Sequence, residues 1–227
     1  MAITDRPEQH FDPKDFDNFI AAHGAPAIWR RARTCPCLDR DTGQPSINCP
    51  FCRDLPGTLW DAGSELRVLA PNRQRKDEYL EPGLLMEGML FLTFPSTVTP
   101  GRNDQIVLTA SEMVLADERH VRGETRAGRS TERLRMRPCI GVEFCDAIVD
   151  GALTSFTEGR EFSISDVGDI VWSDPPADGT QYTLRYRTRS TYVVLSPFSR
   201  DENGTKQPYR AIAQRLDFWR RPPVGED

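Results

Sequence analysis

Histidine is scarce in this chain: His10, His23 and His120 are the three in 227 residues, and they are scattered. None stands in a motif with serine, cysteine or paired carboxylates, so no histidine-based acid–base or nucleophilic centre is indicated. A Gly-x-Gly-x-x-Gly turn after a strand is missing, as is a Gly-Lys-Ser/Thr phosphate loop. The Gly-x-Ser-x-Gly nucleophile elbow is missing too. No run of about eighteen apolar residues occurs, so no membrane-spanning helix is expected. The stretch Met1-Ala2-Ile3-Thr4-Asp5-Arg6-Pro7-Glu8 lacks a basic segment followed by an apolar one, so no secretory leader is expected. These absences predict a non-enzyme without a membrane partner, made in a reducing cytosol.

Composition narrows the class further. Hydrophobic residues make up 38% and charged residues 28%, a globular balance. Lys plus Arg is 29 against 34 for Asp plus Glu, a net charge of −5, which argues against nucleic-acid binding by the whole molecule. Eighteen prolines and sixteen glycines disfavour a helical bundle and suit short strands joined by turns.

Periodicity supports a mainly β chain. One short helix is expected at the start: Asp12 caps, Pro13 takes the first helical position, Phe16, Phe19, Ile20 and His23 recur at helical spacing, and Gly24 ends the run. Ala27 to Arg33 reads as a strand or as an arm. Glu65 to Leu69, Gln105 to Thr109, Glu112 to Leu115 and Tyr192 to Leu195 read as separate strands, and Leu84 to Phe94 as a long central one. Pro71 to Pro82 reads as a charged connection and Asp117 to Thr131 as a long exposed loop. Arg133 to Arg137 alternates, as do Ile140, Val142 and Phe144. Phe162 with Ile164, Ile170 to Trp172, and the series Tyr182, Leu184, Tyr186, Thr188 are the cleanest strands. Leu216 and Phe218 read as a last strand. The expectation is an antiparallel barrel or sandwich. Its segments are a helix and arm over 1–33, a cysteine loop over 34–60, a β-domain over 61–200, and a C-terminal strand and tail over 201–227.

Cysteine is where chemistry concentrates. Cys35-Pro36-Cys37 and Cys49-Pro50-Phe51-Cys52 place four thiols within eighteen residues, around a turn at Asp41-Thr42-Gly43. The second pair has the two-residue spacer usual for a thiolate metal site. The first pair has one spacer residue, but in extended chain both sulfurs point to one side. Zinc bound by Cys35, Cys37, Cys49 and Cys52 is the favoured reading. Disulfides among the same four are the alternative, and free thiols in a small core the bland one. Cys139 and Cys145 read as small buried sheet residues. Arg30-Arg31-Ala32-Arg33 beside Trp29 offers a rival class, a cellular zinc-containing nucleic-acid-binding module.

Two stretches resemble virion proteins of tailed bacteriophages. The segment Trp29-Arg30-Arg31, Cys35-Pro36-Cys37, Asp41-Thr42-Gly43-Gln44-Pro45 and Asn48-Cys49-Pro50-Phe51-Cys52 resembles a cysteine-loop module of such proteins. Gly159 to Phe162, Asp169 to Trp172, Pro175-Pro176, Gly179 and Tyr182 to Val194 are similar to β-rich pieces of phage neck and tail proteins. The resemblance implies a head–tail connector, stopper or collar subunit, with tail terminator, tail tube and baseplate as rival positions in the same particle. It further implies a ring of copies in the virion, touching portal, adaptor or tail proteins, with DNA at most passing through the channel.

Overall fold

The computed structural model describes residues 12–46, 49, 51–52, 55–70, 88–126, 129–198, 201–202, 205–206 and 208–219. Helix α1 (Pro13–His23) starts where expected: the Asp12 carboxylate accepts from Lys14 N at 2.9 Å, and Gly24 N donates back to Ile20 O at 2.7 Å to end it. Ile20 is its buried anchor, and Asp17 holds the Ser96 N–H at 2.8 Å.

The strands follow in chain order. β1 (Ala25–Arg30), β2 (Ala32–Thr34), β3 (Thr58–Trp60), β4 (Ser64–Val68) and β5 (Met89–Thr93) precede the long β6 (Gln105–Val121). Next come the short pair β7 (Thr125–Arg126) and β8 (Arg129–Ser130), then β9 (Cys139–Val149) and β10 (Ala152–Ser155). β11 (Phe162–Ile164) and β12 (Ile170–Trp172) form a hairpin ahead of the 18-residue β13 (Gln181–Phe198). β14 (Asp201–Glu202) and β15 (Thr205–Lys206) pair antiparallel, and β16 (Arg210–Arg215) runs into the short helix α2 (Leu216–Trp219).

One eight-stranded antiparallel sheet organises these pieces, in the order β10-β9-β13-β6-β1-β4, with β16 on the second half of β13 and β5 outside β16. The sheet curls until its β4 and β5 sides meet. There Leu69 and Thr93 exchange two backbone hydrogen bonds of 3.0 Å, an isolated bridge rather than a ladder. Inside the curl lie Val68, Leu92, Phe94, Ile106, Val194 and Ala213. A second core forms where the β11–β12 hairpin covers the first half of β13, around Phe162, Tyr182, Leu184, Tyr186 and Met136. The mainly antiparallel β class, with one short N-terminal helix, is the one expected from periodicity.

Several local expectations are corrected. Gln105 to Thr109 and Glu112 to Leu115 are parts of a single strand, β6, which continues into the stretch read as an exposed loop. Its polar residues Glu118 and His120 are buried, because they bond to each other and to β13, so their polarity disguised an inward face. Tyr192 to Leu195 belongs to β13. Met89–Thr93 is a five-residue strand rather than the long central one read over Leu84 to Phe94; residues 84–87, like Pro71 to Pro82, lie outside the described set. Leu216 and Phe218 sit in α2, and the strand is the preceding Arg210–Arg215. On β9 the register slips so that Glu143 is an extra residue between the pairs Arg185↔Phe144 and Tyr186↔Val142. A bulge of this kind flips the side-chain alternation. Cys145 and Ala147 therefore face the core, while Phe144 and Ile148 face out.

Arg133 to Arg137 is not a strand of the main sheet. It is a strap whose first backbone N–H groups bond to carbonyls, Leu134 N to Gly168 O at 2.8 Å among them, and whose next ones bond to side chains. Arg135 N donates to Glu118 at 2.6 Å, Met136 N to the Tyr186 hydroxyl at 3.0 Å, and the Thr188 hydroxyl donates to Pro138 O at 2.8 Å. Buried backbone groups need partners, and here β6 and β13 supply them. Leu134 and Met136 point into the second core beneath it.

Candidate metal centre

The cysteine loop grows from the β2–β3 ladder, where Thr34 pairs with Thr58. Cys35 N donates to Gly57 O at 2.8 Å and Thr58 N to Leu55 O at 2.9 Å, which turns the chain tightly at the base. Further out, Leu38 bridges Pro45, and the Asp39 carboxylate accepts from Asp41 N, Thr42 N and the Thr42 hydroxyl. This acceptor role holds Asp39 below its ordinary pKa, the Thr42 backbone N–H contributing most. Gly43 and Gly57 have φ of +67° and +81°, which a residue bearing a Cβ adopts only with strain.

This frame brings all four expected sulfurs together. The Sγ atoms of Cys35, Cys37, Cys49 and Cys52 lie within 4.8 Å of one another. Cys35 Sγ is 3.6 Å from Cys49 Sγ, and Cys37 Sγ is 3.4 Å from Cys52 Sγ. A disulfide requires about 2.05 Å, so none is formed. A tetrahedral ion with metal–sulfur bonds near 2.3 Å has S···S edges of about 3.8 Å, so these separations fit one ion at the centre. The donor set suits it too: four soft thiols, three of them buried. Four sulfurs complete a tetrahedron, leaving no position for an activated water.

The electrostatics are already biased toward thiolate at one ligand. The backbone N–H groups of Phe51 and then Cys52 point at the Cys49 sulfur and pull its pKa down to about 6. Burial pushes Cys52 up to about 12, only partly offset by the Gly57 N–H. At Cys35 the Cys37 N–H favours the thiolate, but burial and the neighbouring thiols outweigh it and the pKa rises. A bound cation would favour the thiolate form of the ligands.

The loop is fastened to the sheet at three places. Ala32 N donates to Asp104 Oδ1 at 2.7 Å, the Trp60 indole donates to Asn103 O at 2.8 Å, and Leu55 sits in the second core. Asp104 is itself buried and also accepts from the Trp29 indole and Gly101 N, each at 2.7 Å.

Asp104 belongs to a group of buried carboxylates, with Glu118 and Glu132, that sequence reasoning did not find. Glu118 accepts from Arg135 N, His120 Nε2 and the Tyr186 hydroxyl. Glu132 accepts from Arg122 Nη1, Gly123 N, the Trp172 indole and the Tyr182 hydroxyl, all at 2.8–3.0 Å. Burial alone would raise the Glu132 pKa, but the four donors more than reverse it and the net shift is downward. The readable signal was on β13: inward tyrosines at 182 and 186 need acceptors for their hydroxyls. These carboxylates tie elements together, and Glu118 with His120 and Arg135 also lines an open surface cavity. Burial raises Cys139 to about 11 and Cys145 to about 12, in keeping with inert sheet thiols. His23 lies against Phe19 on α1, and His10 is outside the described residues. Among the described residues no helix is long and apolar enough to cross a membrane.

The arginine cluster is largely engaged. Arg30 donates to Gln105, and Arg31 pairs with Asp61 at 2.9 Å while lying 5.9 Å from the Trp29 ring centroid. Comparison with protein-family models gives no match to this chain, and comparison with curated proteins gives none either.

Proposed function

We propose that this chain is a structural subunit of a tailed-phage virion, of connector, stopper or collar type at the head–tail junction, and that Cys35, Cys37, Cys49 and Cys52 hold one zinc ion. The observation that carries the reading is the four-sulfur loop pinned to the sheet at Asp104, Asn103 and the second core. Such an ion is saturated by protein ligands, so it shapes the loop and leaves no site for chemistry. The rest of the molecule fits assembly rather than turnover: a rigid curled sheet with its buried carboxylates committed to internal bonds. The resemblance at Trp29 to Cys52 and at Gly159 to Val194 supports the virion class, and the subunit then acts as one of a ring of copies between portal-side and tail-side neighbours.

The test has two arms. Elemental analysis of reduced protein should give about one zinc per chain. Negative-stain images of purified protein, or of particles, should contain rings of this subunit. Salt-sensitive DNA binding by a monomeric protein would instead favour the nucleic-acid module, and a zinc-free reduced chain would remove the metal from the reading.

A further inference from the structure

We infer that the four-cysteine loop is a two-mode staple: when its metal is lost under oxidation it closes as two defined disulfides, Cys35–Cys49 and Cys37–Cys52, and keeps its folded path. The inference rests on the metal reading above and adds a pairing that the reading does not contain.

Four cysteines allow three pairings. One joins neighbours in sequence, Cys35 with Cys37 and Cys49 with Cys52. It would leave the two arms of the loop unlinked to each other. The other two link the arms. The structure favours one of these: Cys35 Sγ and Cys49 Sγ are in contact at 3.6 Å and Cys37 Sγ and Cys52 Sγ at 3.4 Å, within a cluster whose sulfurs all lie within 4.8 Å of one another. Each pair needs its sulfurs to approach by about 1.4–1.6 Å to reach the bonding distance of about 2.05 Å. The surrounding frame has contacts besides the sulfurs that guide either closure: the Leu38–Pro45 bridge, the Asp39 turn and the Leu55 anchor.

The chemistry balances with a peroxide as oxidant. One sulfur of the pair, Cys49 for example, displaces hydroxide from hydrogen peroxide as its thiolate and becomes a sulfenic acid. The Cys35 sulfur attacks it; the S–S bond forms and the sulfenic oxygen leaves as hydroxide. A second peroxide does the same for Cys37 and Cys52. In sum, four thiolates and two peroxides give two disulfides and four hydroxides, and the ion departs with no thiolate left to bind it. Cys139 and Cys145 stay reduced, because burial holds both as thiols. A protein made in a reducing cytosol and carried outside the cell would thus hold the same loop by metal first and by covalent bonds later.

The experiment titrates the full-length protein, after its zinc content is measured, with hydrogen peroxide. Released zinc is followed with a chromogenic chelator and disulfides are mapped by mass spectrometry without reduction. The expected result is a loss of four hydrogens per chain in the oxidised thiols, two alkylatable cysteines remaining, and cross-links between 35 and 49 and between 37 and 52. Because Cys35 and Cys37 share a peptide, the pairing is fixed with double variants. C35S/C49S should still close Cys37–Cys52, whereas C35S/C52S should close its remaining pair about tenfold more slowly. Cross-links 35–37 and 49–52, intermolecular disulfides, or sulfinic acids at these positions would overturn the inference. A reduced chain without zinc would sink the metal reading alone, since the disulfide map is read independently of it.

Discussion

The cysteine cluster and the core under the hairpin-covered half of β13 are both buried, but they are held by different physics. The loop's small cluster consists of Cys35, Cys49 and Cys52, with Cys37 and Leu59 against it. That is too little apolar area to offset the entropy of ordering a segment of this length. The second core has Phe162, Leu184, Met136 and two buried tyrosines, and its polar groups are satisfied by Glu118 and Glu132. One region depends on what binds its sulfurs; the other depends on packing and on carboxylates that are fully bonded. Substitutions should therefore separate the two.

The largest effect is expected at Phe162, which is fully buried between β12 and β13. Phe162→Ala should cost about 3–5 kcal/mol in urea unfolding followed by circular dichroism. The metal content of the fraction that stays folded should not change, and a parallel loss of metal would erase the distinction between the regions. Glu132→Gln comes next. It keeps the shape but removes the charge that four donors share, and should cost about 2–4 kcal/mol near neutral pH. The sign of the pH effect is fixed by the downward shift. A carboxylate whose pKa is lower folded than unfolded stabilises above its ordinary value of 4.5, and that stability is lost as pH falls below it toward the folded value. The wild type should lose stability over this acid range, and the Gln variant should lose less of it in the same titration.

Cys52→Ser addresses the other region. Metal stoichiometry should fall from about one to near zero, and limited proteolysis should cut between Thr34 and Thr58 while the sheet's far-ultraviolet signal persists. Collapse of the whole sheet would mean that the Leu55 anchor makes the two regions one cooperative unit. The smallest effect is expected for Arg187→Ala. Its pairs with Glu112 and Glu143 lie on the half-exposed outer face at 3.3 and 3.8 Å, so the loss should be under about 1 kcal/mol and should shrink in high salt.

The loop was the more legible of the two regions in sequence, because four thiols at short spacing state their purpose locally. The alternation of Tyr182, Leu184, Tyr186 and Thr188 was legible for the same reason: a sheet with one buried face prints a period of two. What sequence hid were the places where pairing, rather than composition, decides the face. The extra residue at Glu143 turned Phe144 outward, and nothing in Ile140 to Phe144 announces a bulge. Glu118 and His120 looked like loop residues because their partners, Tyr186 and Arg135, are distant in the chain. The same distance concealed Asp104, whose role appears only once Trp29 of β1 and Ala32 of β2 arrive beside it.

The lone bridge between Leu69 and Thr93 bears on how the sheet opens. It closes the curl with two backbone hydrogen bonds, whereas β13 meets β6 over twelve paired residues. A seam this short is where the curl parts at least cost, so amide exchange at Leu69 and Thr93 should outpace exchange along the β13–β6 ladder.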